Sequence, residues 1–328
     1  MDIYLQLFLR FKHFVFRFTS FLSRFTYLLS RSNIIFLMAL FCGIVLPQAT
    51  IIGTALILPA ITIILTITPL KIPGGFFRRP GHLVPAAIRG IVMNYLFLGN
   101  LIIFIGIFFN LEVHLWIGMV LIAAAPPAIA MIPLSNLFKA DATSSIAGLA
   151  GAYLGALLIA PLIVLGFVKD IPLNYVGIIL LVFELIFLPL VISRIIVEKD
   201  WDKIVEPYEG IIIDICFFIV FYAITANNRD ILVDWSSDLS SIAIIAFTII
   251  FLAALIIVKV GGFFHTAENK ITSLLLLGTM KNYALAGGIA LIIFDRQAAL
   301  PALIFAAVNF IYVNWLKYKN RNVIATSK

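Results

Sequence analysis

Apolar residues dominate the chain in runs of about 20 residues, separated by short polar or charged connections. Continuous Leu, Ile, Phe and Ala runs are typical of helices that satisfy their own backbone hydrogen bonds in a bilayer. They lack the strict alternation of apolar and polar residues that a membrane β-strand requires. The pattern predicts ten helical spans: 33–48, 50–68, 84–109, 114–137, 142–168, 172–195, 207–227, 240–260, 268–295 and 299–316.

The segment before the first span, residues 1–32, mixes Phe and Leu with regularly spaced Arg and Lys. This pattern favours a basic amphipathic helix on the inner membrane surface, and an ordinary basic flank is the alternative. A removable signal peptide fits poorly, because no uncharged core is followed by a small-residue cleavage site. Residues 317–328 are predicted to form a cytoplasmic tail.

Composition and charge support this topology. The sequence is 63% hydrophobic and 12% charged, with a net charge of +7. Of its 23 Lys and Arg residues, only Lys169, Arg229 and Arg296 fall in predicted outer connections, and Arg89 and Lys281 fall within spans. The positive-inside rule therefore predicts a multi-pass protein of the cell (inner or plasma) membrane with both termini in the cytoplasm. The positive charge reflects topology, so no nucleic-acid partner is expected.

Motifs of enzyme chemistry are absent from the sequence. It has no glycine-rich phosphate loop, no nucleophile elbow and no metalloprotease helix, and no paired acids occur at a common depth. Cys42 and Cys216 lie in predicted spans, and the four His residues show no metal-ligand spacing. We therefore predict a protein that is not an enzyme and has no cofactor and no metal site.

The fourth and ninth spans have interrupted middles. The fourth, "LIAAAPPAIAMIPLSNLFKAD", contains Pro126, Pro127 and Pro133, and each proline removes a backbone donor. The ninth, "LLLLGTMKNYALAGG", has three polar residues, Thr279, Lys281 and Asn282, flanked by Gly278, Gly287 and Gly288. Both spans are therefore expected to unwind or kink.

The two interrupted spans occupy the same position in the two halves of the chain. Residues 33–168 and 169–316 each contain five spans, and the break falls in the fourth of each half. Broken helices at corresponding positions indicate a transporter site near the bilayer midplane, built from two inverted repeats. Half-helix N-termini attract anions there, so we expect a small organic anion as substrate.

At these segments the sequence resembles the bile acid:sodium symporter family of ten-helix organic-anion carriers. The family has Pro-Gly-Gly-x-x-Ser-Asn in the fourth helix, then Gly-Asp at the start of the fifth, and Glu-x-Gly-x-Gln-Asn in the ninth. With Pro126 on the family proline, Asp141 falls on the family aspartate without a gap. Four further residues fall on family positions: Ser145, Pro161, Asn282 and Pro301. The resemblance implies crossing broken helices, a panel of helices 1, 2, 6 and 7, and a core of helices 3–5 and 8–10. We predict that the substrate binds at the crossing of helices 4 and 9, with Asn282, Lys281, Thr279, Pro126, Pro127 and Ser145 as the binding residues.

The sequence departs from the family at the sodium ligands. The positions of the family Ser-Asn pair and of its Glu and Gln hold Met131, Ile132, Leu277 and Lys281. Apolar side chains cannot replace the hard oxygen ligands that a small cation needs. The resemblance therefore implies the carrier fold without the family's sodium sites.

Lys281 offers a different solution. Its ammonium places a fixed positive charge where related proteins bind a coupling cation, and it is expected to hold the two broken helices together and to attract an anion. Such a buried charge costs about 2.5 to 3.5 kcal/mol, so a partner is expected. Glu184 in the sixth span is the candidate coupling partner, with Asp214 in the seventh as a second candidate, and protons are a candidate coupling ion. Asn94 is expected to pack between helices.

Two other functions remain open at this point. A cation/proton antiporter shares the crossed-helix architecture, although carboxylates that face the lysine are missing from the third to fifth spans. A membrane receptor or assembly protein with the same fold would bind a ligand without transporting it. The bilayer and a small organic anion are the expected partners, and the sequence argues against sodium.

Overall fold

The structure is a computed structural model that describes residues 31–72, 81, 83–168, 175–234 and 237–320. Within these ranges the chain forms helices and connecting turns, and no strand occurs. The predicted N-terminal surface helix lies outside the described residues except for positions 31 and 32. Residues 321–328 of the predicted tail also lie outside them.

Six helices in the described ranges are long and apolar enough to cross a membrane. At about 1.5 Å per residue, a helix of 20 residues spans the roughly 30 Å of a hydrocarbon core. These six helices are α2 (Pro47–Lys71), α3 (Val84–Phe108), α6 (Ala142–Phe167), α9 (Glu209–Asn227), α11 (Ser237–Phe263) and α14 (Gln297–Lys319). The architecture is therefore that of a helical membrane protein.

The remaining helices are shorter or lie beside undescribed residues. They are α1 (Arg31–Val45), α4 (Val113–Ala124), α5 (Met131–Leu137), α7 (Tyr175–Glu198), α8 (Asp202–Val205), α10 (Arg229–Val233), α12 (Glu268–Leu277) and α13 (Tyr283–Phe294). The pairs α4/α5 and α12/α13 occupy the predicted fourth and ninth spans. Each pair is separated by non-helical residues, 125–130 in the first pair and 278–282 in the second.

Two groups of helices form the bundle. In the first group, α9 packs against both α1 and α2. In the second, α3 packs on α6, α11 packs on α14, and α13 packs on α4 and α14. The two groups meet where α9 contacts α13 and α14.

Prolines and glycines near the breaks have different roles from those predicted. Pro133 does not interrupt a helix, because it lies in the first turn of α5, where the missing backbone donor has no helical partner to lose. Gly287 and Gly288 lie inside α13, and a Cβ on either would overlap an isoleucine side chain, that of Ile224 or Ile61. These two glycines allow close helix packing and do not unwind the helix.

The contact between α3 and α6 depends on small residues. A Cβ on Gly90 would overlap the backbone of Gly148, and a Cβ on Gly151 would overlap the carbonyl oxygen of Ala87. Small residues are the usual way for membrane helices to approach closely, because lipid provides no hydrophobic drive for their association. The α3–α6 contact positions the middle of α3 beside the two breaks.

We predict that Gly151→Ala destabilises the protein by about 1–3 kcal/mol, because the added methyl group forces these helices apart. Gly166→Ala, in the same helix, is the matched control, because a Cβ there meets no atom within 4 Å. Thermal unfolding in detergent is the measurement. A Gly151→Ala protein as stable as the Gly166→Ala protein would contradict the close contact.

Candidate functional site

The two breaks touch each other in the middle of the bundle. The backbone N–H of Asn282, in the second break, donates a 2.8 Å hydrogen bond to the carbonyl oxygen of Pro126, in the first. Both groups are available because the chain is not helical at these positions. The prolines explain the first break, since Pro126 and Pro127 cannot donate to the preceding turn.

Asn282 also begins the helix that follows. Its Oδ1 accepts a 3.1 Å hydrogen bond from the backbone N–H of Leu285, so the side chain is the N-cap of α13. The residue thus joins one half-helix to the opposite break through its backbone and starts the other half-helix through its side chain.

The ammonium of Lys281 is enclosed by oxygen atoms. Its Nζ donates to Asn94 Oδ1 at 2.8 Å, to the carbonyl oxygen of Ala123 at 2.8 Å and to that of Ala125 at 2.9 Å. The ring of Tyr95 lies 4.8 Å from Nζ, within the range of a cation–π contact. The Lys281 side chain is only 1% exposed.

This geometry matches a charged lysine. An ammonium has three N–H donors and no acceptor, whereas a neutral amine has two donors and a lone pair that would face one of the oxygens. Among the described residues, no carboxylate forms an ion pair with Lys281. Neutral oxygen dipoles and one aromatic face therefore solvate the charge in place of water.

Asn94 was predicted to pack between helices and is instead a direct partner of Lys281. It lies in a π-helical stretch of α3, Val92–Gly99, a geometry that often marks functional sites. The sequence carried no signal for this contact, because Asn94 and Lys281 are 187 positions apart. The Lys281 donor also fixes which end of the amide faces the site, since only Oδ1 can accept.

A cavity of about 510 Å³ lies beside the crossing of the breaks. Its wall includes Lys281 and Asn282 of the second break and Ala128 and Ala130 of the first. From the crossing it extends toward the end of the bundle at which α1 and α9 begin and α14 ends. A space of this size accommodates a small organic molecule.

Polar residues are few in this cavity, and apolar and aromatic side chains form most of its wall. Asn33 of α1, Asp214 of α9, and Asn309 and Lys317 of α14 line it together with Lys281 and Asn282. Asn33, Asn309 and Lys317 were not predicted as site residues, because they lie near helix ends and far apart in the sequence. Lys317 had been assigned to the cytoplasmic tail, whereas it lies in α14 and is only 8% exposed.

The other predicted site residues do not line the cavity. Thr279 is buried in the second break, and its hydroxyl donates to the carbonyl oxygen of Leu275 in the last turn of α12. Pro126 and Pro127 form the first break without reaching the cavity. Ser145 joins Ser135 and Ser273, through hydrogen bonds of 2.8 Å and 3.0 Å between their hydroxyl oxygens, and connects α5, α6 and α12.

The predicted coupling partner Glu184 does not meet Lys281 in this structure. Its side chain is exposed on α7, while Lys281 is enclosed by the contacts described above. Asp214, the second candidate, lines the cavity on α9. Within the described residues, neither carboxylate forms an ion pair with Lys281.

Two of the positions at which the resembled family binds sodium, Met131 and Leu277, are apolar and tightly packed here. Met131 and Leu277 are fully enclosed, and a Cβ on Gly148 would overlap the Leu277 side chain. In the described part of the chain, no group of three or more His, Cys, Asp or Glu side chains could hold a metal ion. The contacts between the two breaks are made by Lys281 and Asn282.

No family profile matches the sequence, and no curated protein matches it either.

We predict that Lys281→Met destabilises the protein by about 2–3 kcal/mol, because it leaves three buried oxygens without a donor. Asn94→Leu should lower the free energy of unfolding less in the Lys281→Met protein than in the natural protein, because the Asn94–Lys281 hydrogen bond is already absent there. Lys270→Met, an exposed lysine of α12, is the matched control. Thermal unfolding in detergent is measured for the natural protein, both single variants, the double variant and the control. Strictly additive losses of stability would contradict the Asn94–Lys281 contact.

Proposed function

We propose that the protein is a secondary active transporter that carries a small organic anion by alternating access. The observation that carries this proposal is the cavity at the crossing of two broken helices, with a buried lysine at the crossing itself. Transporter sites are built in this way because unwound backbone offers free amide and carbonyl groups near the midplane. A static structural bundle has no need of such a cavity.

The proposed topology has ten spans in two inverted five-helix repeats. Neither α4, with 12 residues, nor α12, with 10 residues, crosses a bilayer alone, and each crosses only together with its partner half-helix. Each broken pair follows one long helix and precedes another, α3 and α6 for the first and α11 and α14 for the second. The separate packing of α1, α2 and α9 supports a panel beside a core that contains the breaks. This arrangement also supports the resemblance to the bile acid:sodium symporter family.

The proposed orientation makes the observed state inward-facing. The positive-inside pattern assigns the start of α1, the start of α9 and the end of α14 to the cytoplasmic side. The cavity reaches from the crossing toward that same end, since Asn33, Asp214 and Lys317 line it. Movement of the panel helices relative to the core would close this side and open the other.

In the proposed mechanism, Lys281 takes the place of a coupling sodium ion. A sodium ion at the crossing would need oxygen ligands, and the ammonium already occupies three oxygens there. Lys281 lines the cavity, and its positive charge raises the local electrostatic potential there in favour of an anion. Transport would then be independent of sodium or coupled to protons.

The two rival functions differ from this one in measurable ways. A cation/proton antiporter would exchange a metal cation for protons and would be indifferent to organic anions. A receptor of the same fold would bind an anion without moving it. Flux and binding measured on the same preparation separate the three.

The first test is a thermal-shift screen of organic acids, with and without sodium and across pH, followed by uptake of the best stabiliser into proteoliposomes. We expect uptake in the natural protein, reduced to about a tenth or less by Lys281→Ala and by Asn282→Ala, since each disrupts the crossing. Lys270→Ala is the control and should transport normally. Unchanged flux in both site variants would refute the proposal.

The second test replaces the ammonium with the residue that the resemblance places there. Lys281→Gln leaves the oxygens of Asn94, Ala123 and Ala125 together with a new amide oxygen, and these are ligands suited to a hard cation. We expect thermal stability to be insensitive to sodium in the natural protein and to rise with sodium in Lys281→Gln. Choline chloride at equal ionic strength is the control. Sodium-dependent stabilisation of the natural protein would contradict the substitution of lysine for sodium.

A further inference from the structure

A second lysine, Lys317, lines the cavity and has no partner. Its side chain is 8% exposed, and within the described residues its ammonium forms no hydrogen bond and no ion pair. Asp214 lines the same cavity from α9, yet the two charges do not form an ion pair. The Lys317 side chain thus brings an ammonium without a protein partner into the cavity, where a ligand that supplies the counter-charge would be stabilised.

Lys317 belongs to a face of α14 that points into the cavity. Asn309, Val313 and Lys317 are four residues apart in sequence, which places them on one side of the helix, and all three line the cavity. The Oδ1 atom of Asn309 is buried and has no hydrogen-bond partner in the described chain. Two polar groups on one helix face thus lack the partners that buried polar groups normally have.

The wall around these groups is apolar. The rings of Phe36, Phe217, Phe221 and Phe310 line the same cavity. Apolar side chains offer the charge no hydrogen bonds and lower the local dielectric constant, so the charge interacts more strongly with an ion of opposite sign than it would in bulk water. A ligand that fits both features has an apolar body and a single anionic group.

We propose that Lys317 binds the anionic group of the ligand, and that the aromatic wall holds its apolar body. This assignment rests on the proposed function for its substrate class. It makes Lys317 of α14, and not Lys281 at the crossing, the residue that contacts the anionic group. Lys281 is not available for this role, because its three N–H groups already donate to Asn94, Ala123 and Ala125. The two lysines therefore have separate tasks: Lys281 holds the breaks together and Lys317 selects the charge of the ligand.

The test compares anions with neutral molecules of the same shape. The probes are naphthalene-2-sulfonate, 4-phenylbutyrate and octanoate, each beside its neutral sulfonamide or amide. Ligand affinity is obtained from the dose dependence of the thermal unfolding midpoint of the full chain in detergent. The variants are Lys317→Met, Lys317→Arg and, as matched control, Lys319→Met, which removes an exposed lysine from the same last turn of α14.

We expect at least one anion to bind the natural protein more tightly than its neutral partner. Lys317→Met should lower the affinity for that anion about 30-fold and leave the affinity for the neutral partner unchanged. Lys317→Arg and Lys319→Met should retain the preference for the anion. The unliganded midpoints of the variants show whether each is folded.

Three results would overturn the assignment: no anion preferred by the natural protein, an equal loss for anion and neutral probe in Lys317→Met, or an equal loss of anion preference in Lys319→Met. Anion binding that survives Lys317→Met, together with flux in proteoliposomes, would overturn this assignment and leave the transport proposal standing. Anion binding that depends on Lys317 without any flux would support the assignment and refute transport.

Discussion

The charge on Lys281 can remain inside an apolar bundle because three oxygen atoms and one aromatic ring replace the water that it loses. The rest of the crossing follows from this requirement. The carbonyls of Ala123 and Ala125 are free to accept because α4 ends there, and it ends because two prolines follow. Asn94 reaches the site from a π-helical stretch of α3, which the close α3–α6 contact holds in place. A change to any of these features therefore removes part of the solvation of the Lys281 ammonium.

The same constraint explains why the cavity has its position. Backbone that unwinds inside a membrane must satisfy its polar groups with protein or with a water-filled space. Lys281 and the Asn282–Pro126 hydrogen bond provide partners for some of the backbone polar groups in the two breaks. The cavity borders other residues of both breaks. The hydrogen-bonded contact between the breaks and the cavity beside it therefore have the same origin, the loss of helical structure in both spans. In the proposed transport cycle, the fixed ammonium would keep the core intact while the panel helices move.

The polar groups divide into those that hold the fold and those that face the cavity. The cluster of Ser135, Ser145 and Ser273 joins three helices through short hydrogen bonds and is complete without a ligand. Lys317 is largely enclosed and the Oδ1 atom of Asn309 is buried, yet within the described residues neither group has such a partner. Because buried polar groups are normally satisfied, the incomplete set is the better guide to a binding site than the complete one.

The sequence by itself determined the helical membrane class, the approximate helix bounds and both breaks, because apolar runs and prolines act locally along the chain. Lys281 could be singled out for the same reason, as a charge in an apolar run. Its partners could not, because Asn94 and Ala125 reach it only through packing between helices distant in sequence. Pro133 and Gly288 were misread because a residue's effect on a helix depends on its place in the turn and on its neighbours. Lys317 was predicted to lie in the cytoplasmic tail, whereas the structure shows it largely buried in α14. Burial is decided by three-dimensional packing and not by order along the chain.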